Sequence, residues 1–169
     1  MPHRIFRLLT VVWVGSLLTI GYAVAPVLFT SLDRTTAGAV AAQLFRIEGV
    51  LGAVCGILLL GLANVVIRRG GSAYRRLRWL VAGMLICVLV GYFALQPFMN
   101  AMRVAALEAG TDVGHSAYAA RFGMLHGVSS VFYLIESLLG IALVWKLPVG
   151  AGTGSAQQGA RGTSGKMAG

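Results

Sequence analysis

The sequence predicts an all-α integral membrane protein, a four-helix bundle with both termini in the cytoplasm. Three observations carry that expectation. Of 169 residues, 57% are hydrophobic and only 11% charged, whereas a water-facing domain carries roughly 25% charged residues. Four long stretches are charge-free or hold a single acid, each close to the roughly 20 apolar residues that cross a bilayer core of about 30 Å. The 14 Lys and Arg outnumber the 5 Asp and Glu and gather on one side of those stretches. In a soluble protein the formal net charge of +9 would point to nucleic acid. Here, with a mean hydropathy of +0.81, it marks cytoplasmic loops and anionic lipid headgroups, and no nucleic-acid partner is expected.

The first span runs from Leu8 to Leu32, behind His3, Arg4 and Arg7. Ala23-Val24-Ala25 has the spacing of a signal-peptidase site, but the apolar run exceeds the roughly 7–15 residues of a signal peptide. Pro26 would also follow the cut, so the segment reads as an uncleaved helix. The second span is Gly49 to Ile67, the third Trp79 to Met102, and the fourth Phe122 to Trp145, interrupted only by Glu136. Lipid offers the backbone no outside partners, so each run is a helix. The alternation of barrel strands is absent. Thr35 to Phe45 and Ala101 to Ala109 are proline-free and Ala-containing, which predicts short outer helices, the latter closed by Gly110.

Orientation follows the bases. Arg4, Arg7, Arg68, Arg69, Arg75, Arg76, Arg78, Lys146, Arg161 and Lys166 share one side with no acid. Arg34, Arg46, Arg103 and Arg121 on the other are offset by Asp33, Glu48, Glu108 and Asp112. The positive-inside rule then puts both termini in the cytoplasm, in the inner membrane if the source is bacterial, with Trp79 and Trp145 in the interfacial belt. Residues 148–169 mix Gly, Ala, Ser, Thr and Gln and cannot bury a core. The expected division is a membrane domain over 1–147 and a disordered cytoplasmic tail over 148–169. Gly21-Tyr22 precedes Pro26 as Gly91-Tyr92 precedes Pro97, and Arg46 and Arg121 introduce the following spans. That echo suggests a duplicated helical hairpin in parallel orientation.

Close helix packing in lipid depends on small residues. Gly52 and Gly56 form one such step, and Gly83, Cys87 and Gly91 another, so these glycines are read as helix contacts. Cys55 and Cys87 read as small packing residues. The fourth span differs. At about 100° per residue, His126, Ser129, Ser130, Tyr133, Glu136 and Ser137 share one polar face that must meet protein or water. Glu136 lies ten positions beyond His126, about 15 Å deeper, where Ser16 and Thr19 of the first span are at comparable depth and are the expected hydrogen-bond partners. An acid at that depth is a functional candidate for proton or ion coupling; a structural hydrogen-bond hub is the alternative. Met99, Met102, Met124 and His126 gather near the outer ends of spans three and four. Thioethers with an imidazole suit copper(I), the one candidate cofactor; packing methionines and a hydrogen-bonded histidine are the alternative. No nucleophile–base pair, phosphate loop or paired zinc motif appears, so no catalysis is expected.

Trp13-Val14-Gly15, Ala25-Pro26-Val27-Leu28-Phe29, Gln96-Pro97 and the run Phe122 to Ser130, with Leu125-His126-Gly127-Val128-Ser129-Ser130 its most specific part, resemble the transmembrane protein 205-like family. That family is domain of unknown function 4149, and the resemblance covers Leu8 to Trp145. It implies a four-span membrane protein. A more distant similarity to copper-resistance D-type membrane proteins adds weight to a metal. The expected function is therefore non-enzymatic: handling of a small solute or metal ion through a polar bundle interior. The alternative is a structural or partner-binding subunit of a membrane complex. A lone four-helix bundle leaves little room for a solute path, so the first reading favours a homo-oligomer.

Overall fold

The computed structural model describes residues 2–147; the tail expected at 148–169 lies outside them. Four long apolar helices form the molecule: α1 (Pro2–Ser31), α2 (Arg34–Arg68), α3 (Tyr74–Glu108) and α4 (Ala119–Trp145). No strand occurs among the described residues. Each helix packs on the next in sequence and α4 closes back on α1, which is an up-and-down bundle. The α2–α3 turn therefore lies at the end that carries the chain's N-terminus, as the 2.8 Å hydrogen bond between His3 Nδ1 and the Tyr74 hydroxyl shows. The α1–α2 and α3–α4 connections lie at the opposite end, here called the loop end.

Helices α2 and α3 are 35 residues each, about 52 Å at the usual rise per residue, well beyond a hydrocarbon core of about 30 Å. The short helices expected at Thr35 to Phe45 and Ala101 to Ala109 are not separate. They are continuous with the spans, because neither glycine nor proline interrupts the chain between Phe45 and Gly49 or between Met102 and Glu108. Charge was a poor guide to where α2 begins. Asp33 starts it instead, its carboxylate accepting from the Thr36 amide at 2.8 Å, as an N-cap should. Both helices end on a left-handed glycine, Gly70 (φ 92°) and Gly110 (φ 72°). Gly71 N–H donates to Val66 O and Thr111 N–H to Ala106 O, both at 3.0 Å, so each end is a full Schellman motif.

The two proline sites share one solution. A proline within a helix has no N–H and crowds the preceding turn. Over Ile20–Val24 and over Leu89–Leu95 the helix widens to a π turn. Ala25 N–H reaches back to Ile20 O, and Gln96 N–H to Gly91 O. Pro26 and Pro97 come next, in the first turn of the resumed α-helix. The echo between spans one and three is thus structural as well as sequential.

Toward the terminal end the bundle is filled. Phe6, Trp13 and Leu17 of α1 meet Leu59 and Val66 of α2, Leu77 and Met84 of α3 and Leu143 of α4. Spacings of three and four residues put each set on one helix face. Gly52 and Gly56 make room for the Trp13 indole: a Cβ on Gly52 would sit 2.8 Å from Trp13 Nε1, and one on Gly56 3.2 Å from Trp13 Cη2. Gly83 faces the Leu139 side chain at 3.1 Å. Gly91 does not make the expected helix contact. Nothing lies within 4 Å of its would-be Cβ, because the widened turn points it into open space. Trp79 and Trp145 face outward, 69% and 88% exposed, as residues of an interfacial belt would.

Candidate functional site

Toward the loop end the four helices part around a cavity of about 790 Å³. Its floor is where α1 and α2 bring small residues against aromatic ones. The Tyr133 ring of α4 occupies the place a side chain on Gly21 would need, and the Tyr92 ring of α3 lies 2.6 Å from a Cβ on Gly49. Here sit two acids. Glu136 lines the cavity as a residue of α4, and Glu48 lines it from α2. They are 5% and 4% exposed. Both Glu48 carboxylate oxygens are buried without a hydrogen-bond partner.

Glu48 corrects the sequence reading, which counted it among the acids that offset the outer arginines, beyond the start of the second span. Its neighbours at spacings of three and four, Phe45, Gly52, Cys55 and Leu59, lie on the α2 stripe that faces the bundle. That pattern was the available signal; treating the charge as the end of the span hid it. Ser16 also departs from expectation. Its hydroxyl donates to Trp13 O at 2.9 Å rather than to Glu136, because a serine within a helix readily bonds to its own preceding turn.

The polar face of α4 turns toward this space. His126, Ser129, Ser130, Tyr133 and Glu136 line the cavity, while Ser137 is buried behind it. Two of its hydroxyls are committed to their own helix: Ser130 donates to His126 O and Ser137 to Tyr133 O, each at 2.8 Å. Tyr133 crosses the bundle and donates to Leu17 O of α1 at 2.5 Å, with its ring edge-on to Phe45 at 5.4 Å. The His126 ring is stacked on Phe122, centroids 6.1 Å apart.

The mouth is differently charged. Arg34 and Arg103 line it together with Asp112. Asp112 receives the Gly114 amide at 2.6 Å and pairs with His115 Nδ1. The His115 hydrogen bond, aided by the Gly114 amide, holds its carboxyl below the usual carboxylate range. The Thr36 amide does the same for Asp33 at the start of α2. Arg34, Arg103 and Asp112 thus rim the opening, and the Glu48 and Glu136 carboxyls lie at the bottom.

Residues 8–108 fit the model of a domain of unknown function, DUF4149, which is more than half of the chain. The protein belongs to the DUF4149 family. No curated protein and no solved structure matches. The DUF4149 match ends with α3, so Tyr22, Glu48 and Tyr92 lie inside the family segment. Glu136, His126 and the Phe122 to Ser130 run lie on α4, beyond it.

The four residues considered for copper(I) do not converge in this DUF4149 protein. Met99 and His126 line the main cavity, whereas Met102 and Met124 line a separate groove with Phe98 and Tyr118. Helix geometry is the reason: Met124 and His126 are two positions apart, and such residues do not face each other. The residues present do not fit a four-ligand copper site. Among the described residues no group of three or more His, Cys, Asp or Glu could hold a metal ion. The single chain lines a cavity of this size by itself, so room for a solute does not require a second copy.

Proposed function

We propose that this DUF4149 chain is a non-enzymatic, multi-pass membrane protein that handles a small solute in the cavity floored by Glu48 and Glu136. One observation carries the reading: Glu48 lines that cavity, is buried, and has both carboxylate oxygens without a hydrogen-bond partner. Leaving a buried polar group unsatisfied costs about 1–3 kcal/mol. An acid retained for packing would be expected to find partners; one that awaits a ligand keeps its oxygens free. A volume of about 790 Å³ falls within the range of roughly 300–1,000 Å³ typical of small-molecule sites. Family likeness to transmembrane protein 205-like and copper-resistance D-type proteins is compatible with this reading, though copper is not the solute the floor favours.

The same reading sets the orientation. Arg68, Arg69, Arg75 and Arg76 are exposed around the α2–α3 turn, where they would meet anionic headgroups of the cytoplasmic leaflet. The cavity then opens toward the far side of the cell membrane. Cysteine access tests the central part. In a Cys55→Ala, Cys87→Ala background, Ser129→Cys in native membranes should react with a small, charged, water-soluble thiol reagent added from the loop side. A cysteine that stays unreactive in membranes but reacts after denaturation would mean that a partner or lipid fills the space, and the solute reading would fail.

A further inference from the structure

Resting on that reading, we propose that the cavity takes a hydrophobic organic cation, an ammonium or phosphonium centre carried on an apolar body. The charge argument comes first. No Lys or Arg pairs with either floor acid: the ion pair found among the described residues is Asp112 with His115. Arg46, two positions before Glu48, lies on a different face of α2. Arg34 lines the same cavity but stands 14 positions earlier on α2, about 21 Å along the axis. Arg103 is 11 positions beyond Tyr92 on α3, about 16 Å away along its helix. The arginines therefore act at the mouth and leave the carboxyls to the occupant.

The walls decide between an inorganic and an organic cation. Hard ions such as calcium or magnesium take six or more oxygen ligands. The floor offers two carboxyls and the Tyr133 hydroxyl, whose proton is already donated to Leu17 O. Such an ion would have to fill the rest of its shell with water, leaving the apolar walls unused. Aromatic residues line the same cavity instead, Tyr22, Phe45, Tyr92, Phe132 and Tyr133. Ring faces attract a poorly hydrated cation, and the apolar remainder of such a ligand buries surface that small cations do not have. An anionic ligand would meet like charge at this floor, and a neutral apolar one would leave both Glu48 carboxylate oxygens without partners.

The test uses a pair of probes alike in shape and opposite in charge, tetraphenylphosphonium and tetraphenylborate. Full-length protein in phosphatidylcholine vesicles is compared with protein-free vesicles, which removes simple partitioning. Tetraphenylphosphonium should bind saturably, about one per chain, and Glu48→Gln and Glu136→Gln should each weaken it by about 10-fold or more, equivalent to about 1.4 kcal/mol. Retained helical circular dichroism identifies the variants that still fold; if Glu48→Gln does not, Glu136→Gln carries the comparison. Equal binding of tetraphenylborate overturns the inference. So does tetraphenylphosphonium binding that both Gln variants leave unchanged, and so does binding of neither probe. In each of those cases a reactive Ser129→Cys would keep the solute reading standing, whereas an unreactive one would remove both.

Discussion

Replacing Glu48 with methionine should make the protein more stable. Glu48 is 4% exposed and both its carboxylate oxygens lack partners. Such a group costs about 1–3 kcal/mol. Methionine has a similar unbranched length, no polar demand and an adaptable thioether, and its helix propensity is close to that of glutamate. Glu48→Met therefore removes the cost without opening a void, and stability should rise by about 1–3 kcal/mol. For a domain of this size each kcal/mol moves the thermal midpoint by roughly 2–4 °C, so a rise of about 2–12 °C is expected. Glu48→Gln keeps polar atoms in the same place and should gain less. Thermal unfolding in neutral detergent, followed by circular dichroism, reads the difference. The gain in stability should come with loss of solute binding, the usual exchange at a site kept for function. A clearly lower midpoint for Glu48→Met, with Glu48→Gln unchanged, would refute the reasoning: the acid would then be holding the bundle together by hydrogen bonds.

Further outcomes follow from the packing. Gly52→Ala should destabilise, because its Cβ meets the fully buried Trp13 ring at 2.8 Å and overpacking of about 1–3 kcal/mol exceeds the helix-propensity gain of about 1 kcal/mol. Gly91→Ala meets nothing within 4 Å and should be neutral or stabilising; thermal unfolding separates the two. Tyr133→Phe keeps the ring beside Gly21 but loses the bond to Leu17 O, a cost of about 0.5–1.5 kcal/mol measurable as a lower midpoint. Acidification should release the α2 cap. The Asp33 carboxyl is held below its ordinary value by the Thr36 amide, so the cap persists above that ordinary value and is lost as pH falls through the depressed one, seen as lost protection of the Thr36 amide relative to its intrinsic exchange rate at each pH. Reporter fusions after Trp145 should behave as cytoplasmic and an insertion at Gly110 as external; the reverse would overturn the orientation.

Much of this architecture was legible from the sequence, for a plain reason. Lipid forbids unsatisfied backbone, so runs such as Val50 to Ile67 can be little other than helix. Gly52, Gly56 and Gly83 announced close contact because small residues are what let helices approach. Glu136 and its polar face were visible because an acid inside an apolar run stands out. Glu48 was not, since it sits at the edge of such a run, and a charge at an edge resembles a boundary. Its three-and-four spacing to Gly52, Cys55 and Leu59 carried the missing information. Gly91 failed as a contact because the widened turn before Pro97 rotates residues away from ideal helical positions, a shift that spacing rules do not contain. The methionines failed similarly: proximity along the chain put Met124 beside His126, while the helix turned them apart.

The central claim is that Glu48 and Glu136 line the floor of a single cavity within one chain. A cysteine pair tests it most directly: Glu48→Cys with Glu136→Cys, in the Cys55→Ala, Cys87→Ala background, treated with a short bifunctional thiol reagent in native membranes. The account predicts an intramolecular cross-link, found by mass spectrometry of the monomeric band, and its suppression by tetraphenylphosphonium. Cross-links only between chains, or labelling of the two positions solely by lipid-soluble reagents with no link between them, would contradict it.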